Sequence, residues 1–287
     1  MPSVRNVLIV GGGTAGNTLA ILLRRSGVEV DLVEIDPEWG ALGSGITLVG
    51  NALRVLREVG VWDRVEANIA AVPAHLDHFK FGGPDVPGVC GMYRPTLQAI
   101  LKDAVRHSGA RVRLGTTVEK LEETGDRVTV TLRDGTVRDY DLVVGADGIH
   151  SATRAMIGIP DLPRPTGLAI WRVYIRRPPG LEHGAIQHGG PHHYITGYNM
   201  VSATHMYAYI FEDARDRSAV RRLDPVAEFR RLAEPLDGVW PAIRESVTEP
   251  RQVDYRNLDY LLIDSPWNRG RTIVIGDAAH ALSLIQI

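Results

Sequence analysis

A single cysteine, Cys90, occurs in 287 residues. That scarcity excludes an internal disulfide and a thiolate metal cage. No apolar run approaches the ~20 residues that a membrane-spanning helix needs. The first residues, Met1-Pro2-Ser3-Val4-Arg5, carry no leader-like apolar region. An excess of charge of one sign is also missing. With a formal net charge of −2, nothing favours nucleic acid or an acidic membrane surface as a partner. What remains is 44% hydrophobic and 23% charged, the balance of an ordinary globular chain. These features together predict a soluble, cytoplasmic protein. The length suggests two domains or one large one, at roughly 150 residues per domain. There is no internal repeat and no low-complexity tract.

One pattern recurs three times along this chain. Val7-Leu8-Ile9-Val10 runs into Gly11, Leu142-Val143-Val144 into Gly145, and Ile273-Val274-Ile275 into Gly276. Each is a short, largely β-branched apolar run of the kind that forms a buried parallel strand. Each then breaks into glycine with a polar group close by. Such strand ends in open α/β sheets are where ligands are held, so three of them suggest one extended ligand.

Strand and helix alternate through the first part of the chain. Residues 4–10 read as a strand and 14–26 as a helix with apolar Ala15, Leu19, Leu22 and Leu23, stopped at Gly27. Residues 28–33 read as the next strand. Asn51 is placed to cap a helix carrying Leu53, Val55, Leu56 and Val59 that ends at Gly60. A further amphipathic helix runs through Leu97, Ile100, Leu101, Ala104 and Val105 to a stop near Gly109. Residues 127–132 and 136–140, joined through Asp134-Gly135, predict a hairpin. After Ile157 the composition changes. Pro160, Pro163 and Pro165 lead into strand-like segments at 168–175, 185–188, 193–198 and 205–211, with little helix before 225–232. A return to an α/β strand at 272–275 makes the first domain discontinuous.

Gly11-Gly12-Gly13-Thr14-Ala15-Gly16 fits Gly-x-Gly-x-x-Gly between a strand and a helix. Gly11 permits the tight turn, Gly13 lets a pyrophosphate approach the backbone, and Gly16 allows close helix–strand packing. The helix N-terminus beyond it, at Thr14 and Ala15, offers N–H groups and partial positive charge. The acid expected about 20 residues on is Glu34. Its carboxylate accepts hydrogen bonds from both hydroxyls of an adenosine ribose and repels a 2′-phosphate, so this site is not expected to hold NADP. The glycine turn by itself does not separate FAD from NAD. Gly145-Ala146-Asp147-Gly148 and Gly276-Asp277-Ala278-Ala279-His280 each put an aspartate just beyond a strand. Taken singly, the first reads as a β-turn and the second as a helix N-cap.

Taken together, these segments resemble the single-component, FAD-dependent aromatic hydroxylases of the para-hydroxybenzoate hydroxylase type, most closely their salicylate hydroxylase-like branch. The matches are Gly11–Gly16 with Glu34, Asp147-Gly148 with Ser151 and Arg154, and Gly276-Asp277 with its Ala-Ala-His continuation. Gly43-Ser44-Gly45-Ile46 through Asn51-Ala52-Leu53, Tyr93-Arg94-Pro95-Thr96-Leu97 and Trp267 are softer matches. The likeness runs from residue 4 to about 282. It implies an α/β fold: a discontinuous Rossmann-like FAD-binding domain (1–72, 93–165 and 265–287) with an inserted, mainly antiparallel β-sheet substrate domain (73–92 and 166–264).

The resemblance also implies roles. Arg94 reaches the flavin, Asp277 hydrogen-bonds the ribityl chain, and Asp147 with Gly148 helps hold the pyrophosphate region and affects NAD(P)H use. Gly276 and Val118 join the cofactor-binding set. NAD(P)H is a transient co-substrate, in keeping with a single Gly-x-Gly-x-x-Gly. It reduces the flavin, O₂ adds to form a C4a-hydroperoxide, and the distal oxygen passes to an electron-rich aromatic ring, while the protein supplies orientation and a dry pocket. Tyr207, Tyr209 and Phe211 alternate and so share one strand face. That face is either the substrate wall, with Tyr207 or Tyr209 a proton acceptor or hydrogen-bond partner, or a plain sheet core.

His188, His192 and His193 flank Gly189-Gly190-Pro191 without a carboxylate at ligand spacing. They read as turn histidines, and no metal is expected. Arg176-Arg177, Arg221-Arg222 and Arg230-Arg231 read as solvated faces, and Cys90 as a small hydrophobe. The Trp-x-Trp-x-Ile-Pro element of the related halogenases is absent at Trp171-Arg172-Val173-Tyr174. After His280 the family continues into a proline and a glycine-rich turn on the flavin edge, whereas this sequence reads Ala281-Leu282-Ser283-Leu284-Ile285-Gln286-Ile287. The departure predicts a truncated or frame-altered product, or a fragment, with weakened FAD binding and uncoupled peroxide formation. The alternatives to a monooxygenase are accordingly an impaired nucleotide-binding remnant or a related flavoprotein with other chemistry.

Overall fold

The apolar runs that end in glycine lie side by side in one sheet. In the computed structural model, which describes residues 4–41, 43, 45–71, 88–188, 194–264 and 266–282, six strands follow the order Asn268–Arg269, Thr272–Val274, Leu142–Gly145, Asn6–Val10, Glu29–Glu34, Arg111–Leu114. All neighbours are parallel except the first pair. Val7, Leu8 and Ile9 are wholly buried, which is why this central strand is apolar without alternation. The register sets the glycines level: Val10 pairs with Gly145, and Gly145 with Val274.

The described chain divides into two units. One comprises Met1–Ala41, Gln98–Arg164 and Asp259–Gln286, the other Leu42–Leu97 and Pro165–Leu258. The second unit's first segment is wider than the 73–92 read from sequence. Gly45–Val49, Val89–Tyr93 and Ile69–Ala71 pair as a small antiparallel sheet and carry the helix Gly50–Glu58 with them.

In the first unit the helix Thr14–Arg25 ends where Gly27 takes a left-handed φ of 78°. Its fully buried face is Gly16, Asn17, Ala20 and Ile21, not the leucine stripe expected from periodicity, which is only half-buried. Small residues win there because the helix packs tightly on the strand before it. A meander of Val118–Thr124, Arg127–Leu132 and Val137–Tyr140 forms the expected hairpin, with Gly135 left-handed and the Asp134 carboxylate accepting the Thr136 N–H. Its Val118, Val128, Val130, Leu132 and Tyr140 pack on Leu8, Val10, Val33 and Val143. Asp31, only 6% exposed, ties this meander to the parallel sheet by accepting from Tyr140 Oη (2.7 Å), Arg111 Nε (2.5 Å) and Arg138 (3.0 Å).

The second unit carries antiparallel strands in the order Ala185–His188, Ile195–Met200, His205–Asp213, Arg164–Arg176 (from Pro165) and Val253–Leu262 (as far as Leu258). One face packs Trp171, Val173, Ile175, Met206, Ala208 and Ile210 against helices Pro225–Ala233 and Trp240–Ser246. The expected cap at Asn51 is not formed. The helix starts at Gly50 after Val49, and Asn51 Oδ1 accepts only the adjacent Ala52 N–H. The strand expected from residue 193 begins at Ile195; the turn histidines 192 and 193 and the tail 283–287 lie outside the described residues, as does the His188 side chain.

Asp31→Ala should lower the unfolding free energy by about 2 kcal/mol, because it leaves the buried Tyr140 hydroxyl unpartnered. Tyr140→Phe should cost about 1 kcal/mol; urea unfolding measures both. Asp141 gives a pH-dependent case. The Arg5 and Asn6 backbone N–H groups at 2.7 and 3.1 Å, with Arg127 nearby, hold its carboxyl below the usual range. A lowered folded pKa stabilises above the unfolded value, ~3.9, and that contribution is lost as pH falls through the folded value. Asp141→Asn should therefore destabilise at pH 7, and urea unfolding at falling pH should show the difference closing.

Candidate functional site

Two of the turn's glycines are there because no side chain fits. Gly11 adopts φ 105°, and a Cβ on it would strike the Ala146 carbonyl; a Cβ on Gly16 would strike the Gly11 carbonyl. The Gly11 N–H continues the sheet to Val33 O at 2.8 Å. Gly13 is different. Its φ of −76° and ψ of −171° suit any residue, it is exposed, and among the described residues a Cβ there would meet nothing within 4 Å. The fold itself does not require glycine at 13, so its place beside open space fits a ligand that must reach the backbone. The helix that follows has no side-chain cap and no acid in its first turn. Its N–H groups and positive dipole end thus meet no carboxylate from the helix's own first turn.

Glu34 folds back onto this turn. Oε2 accepts the Gly12 N–H at 2.6 Å and Oε1 the Asp36 N–H at 2.8 Å. Each oxygen keeps a lone pair, enough for two ribose hydroxyls. The strand-end position supplies this orientation: Val10 pairs with Val33, so the first strand's turn and Glu34 emerge at the same edge.

The other two strand ends meet the same turn. The Ala146 N–H donates to Val10 O at 2.7 Å and the Ile275 N–H to Gly145 O at 2.9 Å. Gly276 is left-handed, and a Cβ on it would lie 2.8 Å from that of Ala15. Asp277 follows in a single 3₁₀ turn, Gly276–Ala278, that leads into the strand His280–Leu282. It therefore does not cap a helix. Asp147 accepts from Ser151 Oγ (2.5 Å) and from the N–H and Oγ1 of Thr153 (2.9 and 3.0 Å), and Ser151 in turn caps the helix Ala152–Met156. Its two oxygens thus organise the turn in which Gly148 takes φ 81°. Arg154, 3% exposed, donates to Ala278 O, Ile149 O and Asp161 O at 2.9, 2.9 and 3.0 Å, linking the second strand end to the third. Burial without a directly bonded carboxylate lowers its pKa. Val118 buries its side chain in the core, leaving only its backbone for a ligand.

In the second unit Tyr207, Tyr209 and Phe211 do share a face, with ring centroids 5.7 and 5.6 Å apart in succession. Tyr207 lies over Gly45, and its hydroxyl is 2.7 Å from Thr47 Oγ1. The Tyr209 hydroxyl lies over Gly197, and burial pushes its phenol up, which disfavours the phenolate a proton acceptor would need. Beside them stack Tyr93, Tyr174 and His205, at 4.3 and 5.0 Å. Sequence reasoning placed Gly45 in a softer match without linking it to Tyr207, and missed Thr47 and this stack; alternation on Arg164–Arg176 could have found Tyr174, but the partners come from distant segments. Arg94 opens the helix Arg94–His107, its stem 3.3 Å from where a Gly43 Cβ would be. Cys90 is buried and its thiol is pushed up to about 12 by burial. Among the described residues no group of three or more His, Cys, Asp or Glu could hold a metal ion, and no helix is long and apolar enough to cross a membrane.

A parallel sheet whose glycine turn, acidic strand end and open helix N-terminus converge in this way defines a dinucleotide-binding α/β protein. Comparison with known proteins gives the cofactor. Residues 5–285 match the FAD-binding domain family model FAD_binding_3, and the chain belongs to that family of FAD-dependent monooxygenases. It is 30% identical to the 2-heptyl-3-hydroxy-4(1H)-quinolone synthase of Pseudomonas aeruginosa over 96% of this chain and 75% of that one. It is 29% identical to the 3-amino-4-hydroxybenzoate 2-monooxygenase of Streptomyces cremeus over 96% and 72%. A crystal structure of a mutant 2-methyl-3-hydroxypyridine-5-carboxylic acid oxygenase superposes with a TM-score of 0.80 at 25% identity, covering 97% of this chain and 76% of that one. The cofactor is FAD, and the open backbone at Gly13 and the spare lone pairs of Glu34 suit a dinucleotide.

Gly13 and Gly16 separate ligand from fold. Gly13→Ala should leave the apoprotein within about 0.5 kcal/mol of the parent, small backbone and capping effects offsetting. It should weaken FAD about tenfold, roughly 1.4 kcal/mol. Gly16→Ala should cost about 2 kcal/mol of stability through overpacking. Thermal melts and FAD titrations of the apoproteins check both.

Proposed function

We propose that this chain hydroxylates an aromatic, phenolic small molecule using FAD, NAD(P)H and O₂. The observation that carries the cofactor half of this reading is Gly13, a glycine its own fold does not need, standing at an uncapped helix start beside Glu34. The substrate half rests on the relatives, among them the 3-amino-4-hydroxybenzoate 2-monooxygenase and a 3-hydroxybenzoate 6-hydroxylase of Klebsiella oxytoca. Bound FAD, reduced by NAD(P)H, supplies the oxygen-activating chemistry.

The chain's own residues bind and orient. The backbone N–H groups of Gly13, Thr14 and Ala15 receive the diphosphate, assisted by the helix dipole. Glu34 accepts both ribose hydroxyls and keeps a 2′-phosphate away. Gly276 and Asp277 meet the ribityl chain, Arg94 reaches the flavin, and Val118 contributes its backbone. Asp147 acts through the turn it ties together, keeping Gly148 left-handed beside the diphosphate and the nicotinamide approach. The face of Tyr207, Tyr209 and Phe211 forms the substrate wall. Tyr207, already hydrogen-bonded to Thr47, is suited to bond a phenolic hydroxyl. Tyr209, with its phenol pushed up, stays protonated and serves as wall and donor.

Purified protein supplied with FAD should turn yellow. It should then oxidise NADH or NADPH faster when a hydroxybenzoate is present, and incorporate one atom of ¹⁸O₂ into the product ring. A protein that stays colourless with added FAD would end the flavoenzyme reading. FAD uptake with no stimulation by any of a panel of phenolic acids would move the chain to other flavin chemistry.

A further inference from the structure

One peptide in the glycine turn is held far more tightly than the turn requires. The carbonyl of Gly12 accepts three side-chain N–H groups: Asn17 Nδ2 at 2.8 Å, Gln98 Nε2 at 2.8 Å and Trp39 Nε1 at 2.9 Å. The N–H of the same residue is held by Glu34. A carbonyl oxygen has two lone pairs, so three donors exceed its ordinary complement. None of Asn17, Gln98 and Trp39 is more than 6% exposed. Dinucleotide turns need glycines and an acid; nothing in the turn's own geometry calls for this convergence.

Two further observations mark the cluster as costly. Trp39 is the only non-glycine residue with positive φ among the described residues, at 49°. A bulky side chain in that region is strained, and such strain is held where the surroundings over-determine it. Here they do. A Cβ on Gly12 would run into the indole, and the stripe Gln98, Lys102, Arg106 puts one amide on the Gly12 carbonyl and two cations over the indole ring at 5.9 and 5.3 Å. Asn17 meanwhile leaves its own Oδ1 buried without a partner among the described residues, a penalty that an apolar residue would avoid.

The peptide plane supplies the purpose. In a trans peptide the C=O of one residue and the N–H of the next point in opposite directions. Fixing the Gly12 carbonyl against three buried donors turns the Gly13 N–H the opposite way, away from that cluster. We propose that Trp39, Gln98 and Asn17 are positioning residues: they aim the Gly13 amide at the diphosphate of FAD and set cofactor affinity without touching the cofactor. This rests on the FAD site assigned above. Rotation of that peptide would withdraw the N–H and present a carbonyl oxygen to an anion, so each lost donor lowers the share of molecules poised to bind.

The test titrates apoprotein with FAD, following flavin fluorescence, alongside apoprotein melting curves. Gln98→Met and Trp39→Phe, which keep bulk but remove the donor, should each weaken FAD several-fold. The double variant should weaken it more than about tenfold, with the apoprotein still melting cooperatively. Asp31→Asn, which loosens the same sheet away from the turn, is the control and should leave FAD affinity at the parent value. Double-variant affinity equal to the parent's overturns the proposal. So does an equal loss of affinity in Asp31→Asn, since that would make the effect general destabilisation. If the double variant does not fold, the two single variants decide by the same comparison. A parent that takes up no FAD refutes the site itself; variants that bind like a binding parent refute only the clamp.

Discussion

Close approach between the strand Asn6–Val10 and the helix Thr14–Arg25 is the constraint on which the first unit depends. The backbone reverses within residues 11–13, and a side chain at Gly11 or Gly16 would overlap a carbonyl oxygen. With those side chains absent, the helix starts directly at the end of the strand. Its N–H groups therefore open at the sheet edge where Leu142–Gly145 and Thr272–Val274 also end. Gly276 then packs against Ala15, and Ala146 against Gly11. A surface suited to an anion results from packing that would be needed anyway to bury the helix.

The surrounding structure keeps that surface in one shape. Asp147 and Arg154 spend their polar groups on neighbouring backbone, the first closing its own turn and the second joining the second strand end to the third. Asp31 does comparable work on the other side, gathering Arg111, Arg138 and Tyr140. In each case a charged group, buried for Arg154 and Asp31 and half-buried for Asp147, is satisfied within the protein. The cluster on Gly12 differs because it leaves Asn17 Oδ1 unpaired and Trp39 in a strained backbone region. Costs retained at a binding turn point to function more than to folding.

The second unit separates its two faces by chemistry. Alternation along His205–Asp213 sends Met206, Ala208 and Ile210 to the helices and Tyr207, Tyr209 and Phe211 to the opposite face. The apolar face is a conventional core. The aromatic face carries hydroxyl groups, a stacked Tyr93–Tyr174–His205 column and glycines at 45 and 197 where rings press on backbone. That combination of flat surface and few polar tips suits a small aromatic ligand.

Sequence alone determined the features that depend on local sterics and period. These are the three glycine-ended strands, the glycine turn with Glu34, the hairpin at Asp134-Gly135 and the shared face of Tyr207, Tyr209 and Phe211. Each follows from what neighbouring residues permit, so a short window suffices. Tertiary structure alone decided which groups meet across long separations. Gln98 reaches Gly12 from 86 residues away and Tyr140 reaches Asp31 from 109. It also turned the helix toward Gly16 and Asn17 instead of its leucines, and gave the Asp147 carboxylate to its own turn. Those outcomes depend on packing geometry and on satisfying buried polar groups, neither of which is written in the spacing of any one segment.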